Sequence, residues 1–226
     1  MQDRNSRLAG ALWLLAGLFY LAAETVAAGA FPGYSYCANY VSDLGVPYPG
    51  VAEGRMLASG LAWVMNLGLI TDGVLFALAG RIACAADLSR TSVRAFLILA
   101  AAHGLGTVLV GMVHAGPREV MDGTHALHVL GAALAIIGGN LALMAATGCS
   151  GAWGLPKVHR AASLVLGLMG LAGLALLEWG DLTGRPLLAT GTAERLSIYP
   201  ITAWEIGTGL MLLFARAFPQ ANRQKH

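Results

Sequence analysis

The sequence is short of charge. Only 12% of its 226 residues are Asp, Glu, Lys or Arg, about half the ~25% of ordinary soluble domains, while 57% are hydrophobic. That balance excludes an ordinary soluble enzyme and points to the lipid bilayer. Neither sign of charge is in excess, since 14 basic and 12 acidic residues leave +2. With no basic run and no interleaving of basic and aromatic residues, a nucleic-acid partner is excluded. Cysteine is limited to three residues, and Cys37, Cys84 and Cys149 fall at opposite ends of the expected topology, which excludes a disulfide framework. No repeat of roughly 20–50 residues, heptad seam or low-complexity tract occurs, so solenoids and coiled coils drop out. Neither H-E-x-x-H nor G-x-S-x-G is present.

What is there is six apolar stretches, each long enough for the roughly 17–25 helical residues that cross a bilayer core. They run Leu8–Ala28, Leu57–Gly80, Ala95–His114, His125–Thr147, Ala161–Glu178 and Ile198–Ala215. The expectation is an all-α, polytopic integral membrane protein in which residues 1–226 form a single six-helix domain. With the N-terminus inside, Arg4, Arg7, Arg81, Arg90, Arg94, Lys157, Arg160, Arg216, Arg223 and Lys225 lie inside, against Arg55, Arg118, Arg185 and Arg195 outside. The positive-inside rule then places both termini in the cytoplasm, as in a multi-pass protein of the bacterial inner membrane. The start MQDRNSR, an apolar run and VAAGA also has the outline of a signal peptide. Glu24 interrupts it, however, and loss of the first helix would break the charge partition. The 30 glycines, many inside spans, suit close helix packing through Gly167, Gly170 and Gly173, or Gly207 with Ala203.

Ionisable residues inside spans mark candidate sites. Glu24, His114, Glu178, His125, His128 and Glu205 are expected near one outer level, with Glu205 about two turns below the surface. Helical spacing gives shared faces: His103, Thr107 and His114; His125 and His128; Gly17, Tyr20 and Glu24; Tyr199, Thr202 and Glu205. Such stripes must face one another or a wet cavity. Asp72 and Asn140, at comparable depth, are expected to make interhelical polar contacts, with each other as one option. The longest connection, AFPGYSYCANYVSDLGVPYPGVAEGRM, carries Tyr34, Tyr36, Tyr40 and Tyr48, which suit the headgroup zone. It is expected to fold over the outer mouth, holding Asn39, Ser42 and Asp43 above the histidines, or using Ser42 and Asp43 to cap a short turn.

NYVSDLG, followed by a Pro-Gly turn and a helix, resembles the signature of the bacterial family called domain of unknown function 998. GMVHAGPREVMDGTHALHVLGAALAIIGGNLALM and GTAERLSIYPITAWEIGTGLML resemble its third and fourth helices and its last loop and sixth helix. The family pattern falls on Asn39, Ser42, Asp43, Gly45, His125, Asn140, Glu194, Arg195, Tyr199 and Trp204; Cys37 departs from it. More distantly, SDLG resembles the SDTG loop of DRAM/FRAG-like six-helix proteins, which implies a connection with membrane lipid.

Several chemistries fit these residues. His114, His125 and His128 offer three nitrogens for zinc, with Asp43 or Glu205 as carboxylate. Ser42 with His125 or His128 as base would make a membrane-embedded lipid hydrolase or transferase. Arg195 with Glu194, Asn39, Asp43, Tyr199 and His114 would bind a lipid headgroup without reaction. The leading expectation is binding or remodelling of a lipid or other amphipathic substrate at an outer-side cavity. The alternatives are a proton-coupled small-molecule transporter using Glu205, His103 and Asp72, and a non-catalytic scaffold acting through a membrane-protein partner or a homo-oligomer.

Overall fold

A computed structural model of the chain describes residues 2–52, 54–86 and 88–214. Six of its helices are long and apolar enough to cross a membrane. These are α1 (Gln2–Gly29), α2 (Ala62–Ala83), α3 (Thr91–Met112), α5 (His125–Cys149), α6 (Lys157–Thr183) and α7 (Thr190–Phe214), with a short α4 (Pro117–Asp122) between α3 and α5. In hydrocarbon every backbone group must be satisfied within the chain, so long apolar stretches form helices. The six spans close into a ring: α1 packs on α2 and α7, then α2 on α3, α3 on α5, α5 on α6 and α6 on α7. The start of α1 and the end of α7 lie at one end of this bundle, the terminal end. The long α1–α2 connection lies at the other, the loop end.

Several boundaries differ from the hydropathy reading. Leu57 does not begin α2; β1 (Gly50–Ala52) and β2 (Arg55–Leu57) form an antiparallel hairpin with Val51 opposite Met56. Helix α3 stops at Met112, because Val113 is extended, so His114 lies off the helix. Helix α6 runs on to Thr183 and is ended by Gly184 at φ 63°, a left-handed conformation that glycine adopts without strain. The largest difference is α7, which begins at Thr190 rather than Ile198 and contains Pro200. Proline cannot donate to the carbonyl of Leu196, and α6 approaches this turn closely: a Cβ on Gly173 would meet Ser197 N at 2.6 Å. From α5, Asn140 donates to the Ser197 carbonyl at 2.9 Å. The irregular turn is thus buried and hydrogen-bonded rather than open to lipid. Ala215, Arg216, Arg223 and Lys225 lie outside the described residues.

The terminal half is filled by rings. Trp13, fully buried, meets Trp204 at 5.1 Å, Trp153 at 5.5 Å, Phe96 at 6.3 Å and Phe76 at 6.4 Å between centroids. At the α2–α3 crossing, a Cβ on either Gly73 or Gly104 would sit 2.6 Å from the other's carbonyl oxygen, so the two backbones touch as small-residue membrane interfaces do. Gly207, by contrast, has nothing within 4 Å of its Cβ position, while Gly209 would meet Gly10 O at 2.7 Å. The packing contact between α7 and α1 is therefore made by Gly209, not by Gly207.

Candidate functional site

At the loop end two charged side chains organise the α1–α2 connection. Arg195 on α7 donates to Glu24 Oε1 of α1 from Nε at 3.0 Å and Nη2 at 2.8 Å. Its remaining donors reach the carbonyls of Tyr36 (2.7 Å), Asn39 (3.0 Å) and Gly191 (3.1 Å), and the Tyr34 hydroxyl at 2.5 Å. Tyr199 donates to the other Glu24 oxygen at 3.0 Å. The guanidinium also lies 4.8 Å from the Tyr36 ring centroid, within cation–π range. Burial pushes the Tyr34 phenol pKa up, despite the neighbouring Arg195.

Asp43 is the second organiser. It lies in the 3-10 turn Ser42–Gly45 and accepts from Asn39 Nδ2 (3.0 Å), Tyr40 N (3.2 Å) and Arg55 Nε (3.1 Å). The N-cap of that turn is Val41, which makes no side-chain cap, while Asp43 reaches back to the Tyr40 amide. Glu194 accepts from Val41 N at 2.5 Å. Glu194 and Arg195 therefore do not pair with each other; adjacent residues on a helix face different ways. Arg55 stacks over Tyr40 at 4.3 Å and Arg118 over Tyr48 at 4.0 Å. The tyrosines expected at a headgroup belt thus serve as ring partners for arginines.

Beneath this lid lies a cavity of about 70 Å³. Its walls are apolar, with Leu69, Val110, Ala132, Ile136, Ile198 and Ile201. Its polar groups are Ser42, Glu194, His128 and Tyr20 toward the loop end and Asp72 and His103 deeper in, with Thr107 and Thr202 also in the wall. α1, α2, α3, α5 and α7 all contribute, and α6 does not. His103 Nδ1 sits 2.7 Å from the Ala135 carbonyl; since a carbonyl only accepts, Nδ1 carries the hydrogen and Nε2 faces the Asp72 carboxyl, 3.7 Å away. By the same logic His128 gives its Nδ1 hydrogen to Val113 O at 2.6 Å, leaving Nε2 as the acceptor.

Glu205 is fully buried and faces Asp72. Because α7 starts at Thr190, Glu205 lies about 22 Å of helical rise from that end, not two turns below the surface. It joins Asp72 and His103 in mid-bundle. Asp72 does not pair with Asn140, whose Nδ2 reaches Ile136 O and Ser197 O. Glu205 and Asp72 face each other carboxyl to carboxyl, while Tyr20 Oη and His103 Nε2 have no hydrogen-bond partner among the described residues.

Nearer the terminal end the sequence reading missed a buried network. His159 joins Ser150 Oγ (2.9 Å) to Thr208 Oγ1 (3.0 Å), and Ser163 accepts from Trp204 Nε1 at 2.8 Å while donating to His159 O at 2.7 Å. The i, i+4 spacing of His159 and Ser163 was the available signal, masked by Lys157 and Arg160 beside it.

Of the proposed zinc nitrogens, His125 and His128 stack with centroids 6.0 Å apart, while His114 Nδ1 turns to Glu119 at 3.3 Å. The three are not gathered into a ligand group among the described residues. Glu119 also receives the Tyr48 hydroxyl. Burial pushes its carboxyl pKa up, but the hydrogen bonds from Tyr48 and His114 outweigh this and hold it below the usual range. Ser42, His128 and Glu194 share the cavity wall; Asn39, Asp43 and Arg195 are tied into the lid above.

Comparison with curated proteins and with solved structures gives no match to the chain. Residues 14–211 match the family described as protein of unknown function (DUF998), and with most of its length covered the chain belongs to that membrane-protein family.

Proposed function

We propose that the protein binds a small amphipathic molecule, lipid-derived or lipid-like, in the cavity beneath the lid, reached from the extracytoplasmic side of the bacterial inner membrane. The observation that carries this reading is the cavity itself: apolar walls from five helices, carrying a few polar groups that include Ser42, His128, Asp72 and His103. Such a combination is the general signature of a small-molecule site. The distant likeness of the SDLG loop to lipid-linked six-helix proteins favours a lipid-derived ligand. Ser42 and the free Nε2 of His128 on one wall keep remodelling of that ligand within the proposal. The excess of basic residues at the terminal end supports the orientation.

Native mass spectrometry of the full-length protein, gently extracted, tests the reading. Wild type should retain an organic adduct that Ala132→Phe, which fills the cavity wall, does not. An adduct of equal occupancy in both, or none in wild type, would overturn it. A second reading, proton-coupled transport of the same ligand, is favoured by the ionisable group Asp72, His103 and Glu205 in mid-bundle. It predicts ligand uptake into reconstituted vesicles driven by a pH gradient and abolished by Glu205→Gln; uptake indifferent to the gradient would refute it.

A further inference from the structure

The cavity offers a ligand no cation and one open hydrogen-bonding end. No Lys or Arg is among its lining residues, and Arg195 is turned into the lid, with its donors on Glu24, Tyr34 and three carbonyls. A phosphate or carboxylate headgroup would meet the carboxyls of Asp72 and Glu194 instead. Those carboxyls are themselves engaged: Glu194 takes the Val41 amide, and Asp72 faces Glu205 and His103. What remains toward the loop end is His128 with Ser42. Helix α3 stops at Met112, and the Val113 carbonyl beyond it takes the Nδ1 hydrogen of His128 at 2.6 Å. His128 is 6% exposed, and its Nε2 is left with a lone pair and no hydrogen. Ser42, half-buried in its 3-10 turn, adds a hydroxyl that can donate and accept.

We infer that the polar group of the ligand is a neutral hydroxyl: an uncharged, alcohol-type amphiphile whose O–H is donated to His128 Nε2 while its oxygen accepts from Ser42. This rests on the cavity-binding reading. A buried acceptor left without a donor is unfavourable, so the imidazole selects ligands that bring a hydrogen. An ether or an ester carbonyl only accepts, and would set its lone pairs against that of Nε2. An ammonium donates but accepts nothing, so the Ser42 hydrogen would go unanswered, and its charge would leave water for a wall whose carboxyls are already engaged. A carboxylate brings the wrong sign. A hydroxyl, with one hydrogen and two lone pairs, answers one acceptor and one donor together. The main-chain bond to Val113 fixes the tautomer on which this selection depends. The apolar walls select the rest of the ligand, since an alkyl body gains from contact with Leu69, Val110, Ile136, Ile198 and Ile201.

Calorimetric titration of the full-length protein in detergent with n-hexanol and methyl pentyl ether, isomers of which only the alcohol has an O–H to donate, tests this. Signal that survives in Ala132→Phe is micelle partitioning and is subtracted. Wild type should bind the alcohol about 3- to 10-fold more tightly than the ether, the range of one neutral hydrogen bond. His128→Phe keeps a flat ring and removes the acceptor, so alcohol affinity should fall to that of the ether while ether affinity holds. Ser42→Ala should narrow the preference, and an unchanged ratio there would overturn the pairing with Ser42. Equal affinities for the two isomers in wild type, both lost in Ala132→Phe, would overturn the hydroxyl and leave the cavity reading standing. So would tighter binding of n-hexylamine or hexanoate than of the alcohol, or an alcohol preference that survives in His128→Phe. No binding of either isomer above the Ala132→Phe background would remove both readings. The alcohol-to-ether ratio is read on wild type, so the inference remains testable if His128→Phe fails to fold.

Discussion

Replacing Arg195 with methionine strips the lid of its main fastener while keeping an unbranched side chain of similar length. Glu24, 1% exposed, is left as a buried carboxylate with only the Tyr199 hydroxyl. The carbonyls of Tyr36, Asn39 and Gly191 lose their guanidinium donor. Breaking a buried ion pair from one side costs about 3–5 kcal/mol, most of it the unpaired charge left behind. At about 2–4 °C per kcal/mol for a chain of this size, the expected fall in Tm is about 6–20 °C. Adding Glu24→Gln removes the stranded charge, so the double variant should recover part of the loss and lie well above the sum of the singles. A thiol-reactive fluorophore suits the assay, because Cys84 and Cys149 are buried and free while Cys37 is exposed. In a Cys37→Ser background the dye reports opening of the bundle. A shift of under about 2 °C for Arg195→Met, or strict additivity of the two substitutions, would refute the assignment of Arg195 as the lid's fastener.

The Tyr48–Glu119 contact gives a pH dependence of known sign. The carboxyl of Glu119 is held below its ordinary value. Its contribution is therefore present above the unfolded carboxylate pKa of about 4.3 and is lost as pH falls through the lower folded value. Hydrogen exchange over residues 114–122, corrected for intrinsic rates, should show protection falling in that window, and Tyr48→Phe should flatten the response; an unchanged profile in the variant would break the link. Glycine substitutions separate contact from propensity. Gly104→Ala pushes α2 from α3 and should lower Tm by several degrees, whereas Gly207→Ala meets nothing and should be neutral or stabilising by about 0.5–1 kcal/mol. Equal thermal shifts in the two variants would contradict the close crossing.

The six spans were legible because bilayer thickness imposes a length and an apolar composition that local sequence displays directly. Their ends were less so. Leu57 is apolar, but its backbone pairs with Gly50, and hydropathy cannot distinguish a buried strand end from the first turn of a helix. The apolar stretch starts at Ile198, yet α7 starts at Thr190 and holds Pro200 inside it, where neighbouring helices compensate the missing donor. That late start moved Glu205 toward the surface. Periodicity correctly set Gly17, Tyr20 and Glu24 on the face that meets α7, since a Cβ on Gly17 would lie 3.4 Å from Glu205 Oε2. Periodicity within one helix says nothing of partners on another. Hence Glu24 with Arg195 was invisible, and Asp72 was left with two options, a contact with Asn140 or a path with His103 and Glu205, of which the structure brings together the second. The loop's tyrosines were recognised as interfacial by type, whereas their stacking on particular arginines depends on tertiary geometry.

The Glu24–Arg195 pair spans 171 positions of the chain, which imposes a timetable on biosynthesis. At about 5–20 residues per second, Glu24 emerges from the ribosome about 10–30 s before its partner. Through that interval the first helix carries a carboxylate with no guanidinium to meet, held at the membrane border where water still reaches it. The connection after α1 likewise waits, since the donors that gather its carbonyls belong to the last span. Closing of the lid is thus the terminal event of assembly, and a chain stalled before α7 would display an unlatched bundle to quality-control proteases.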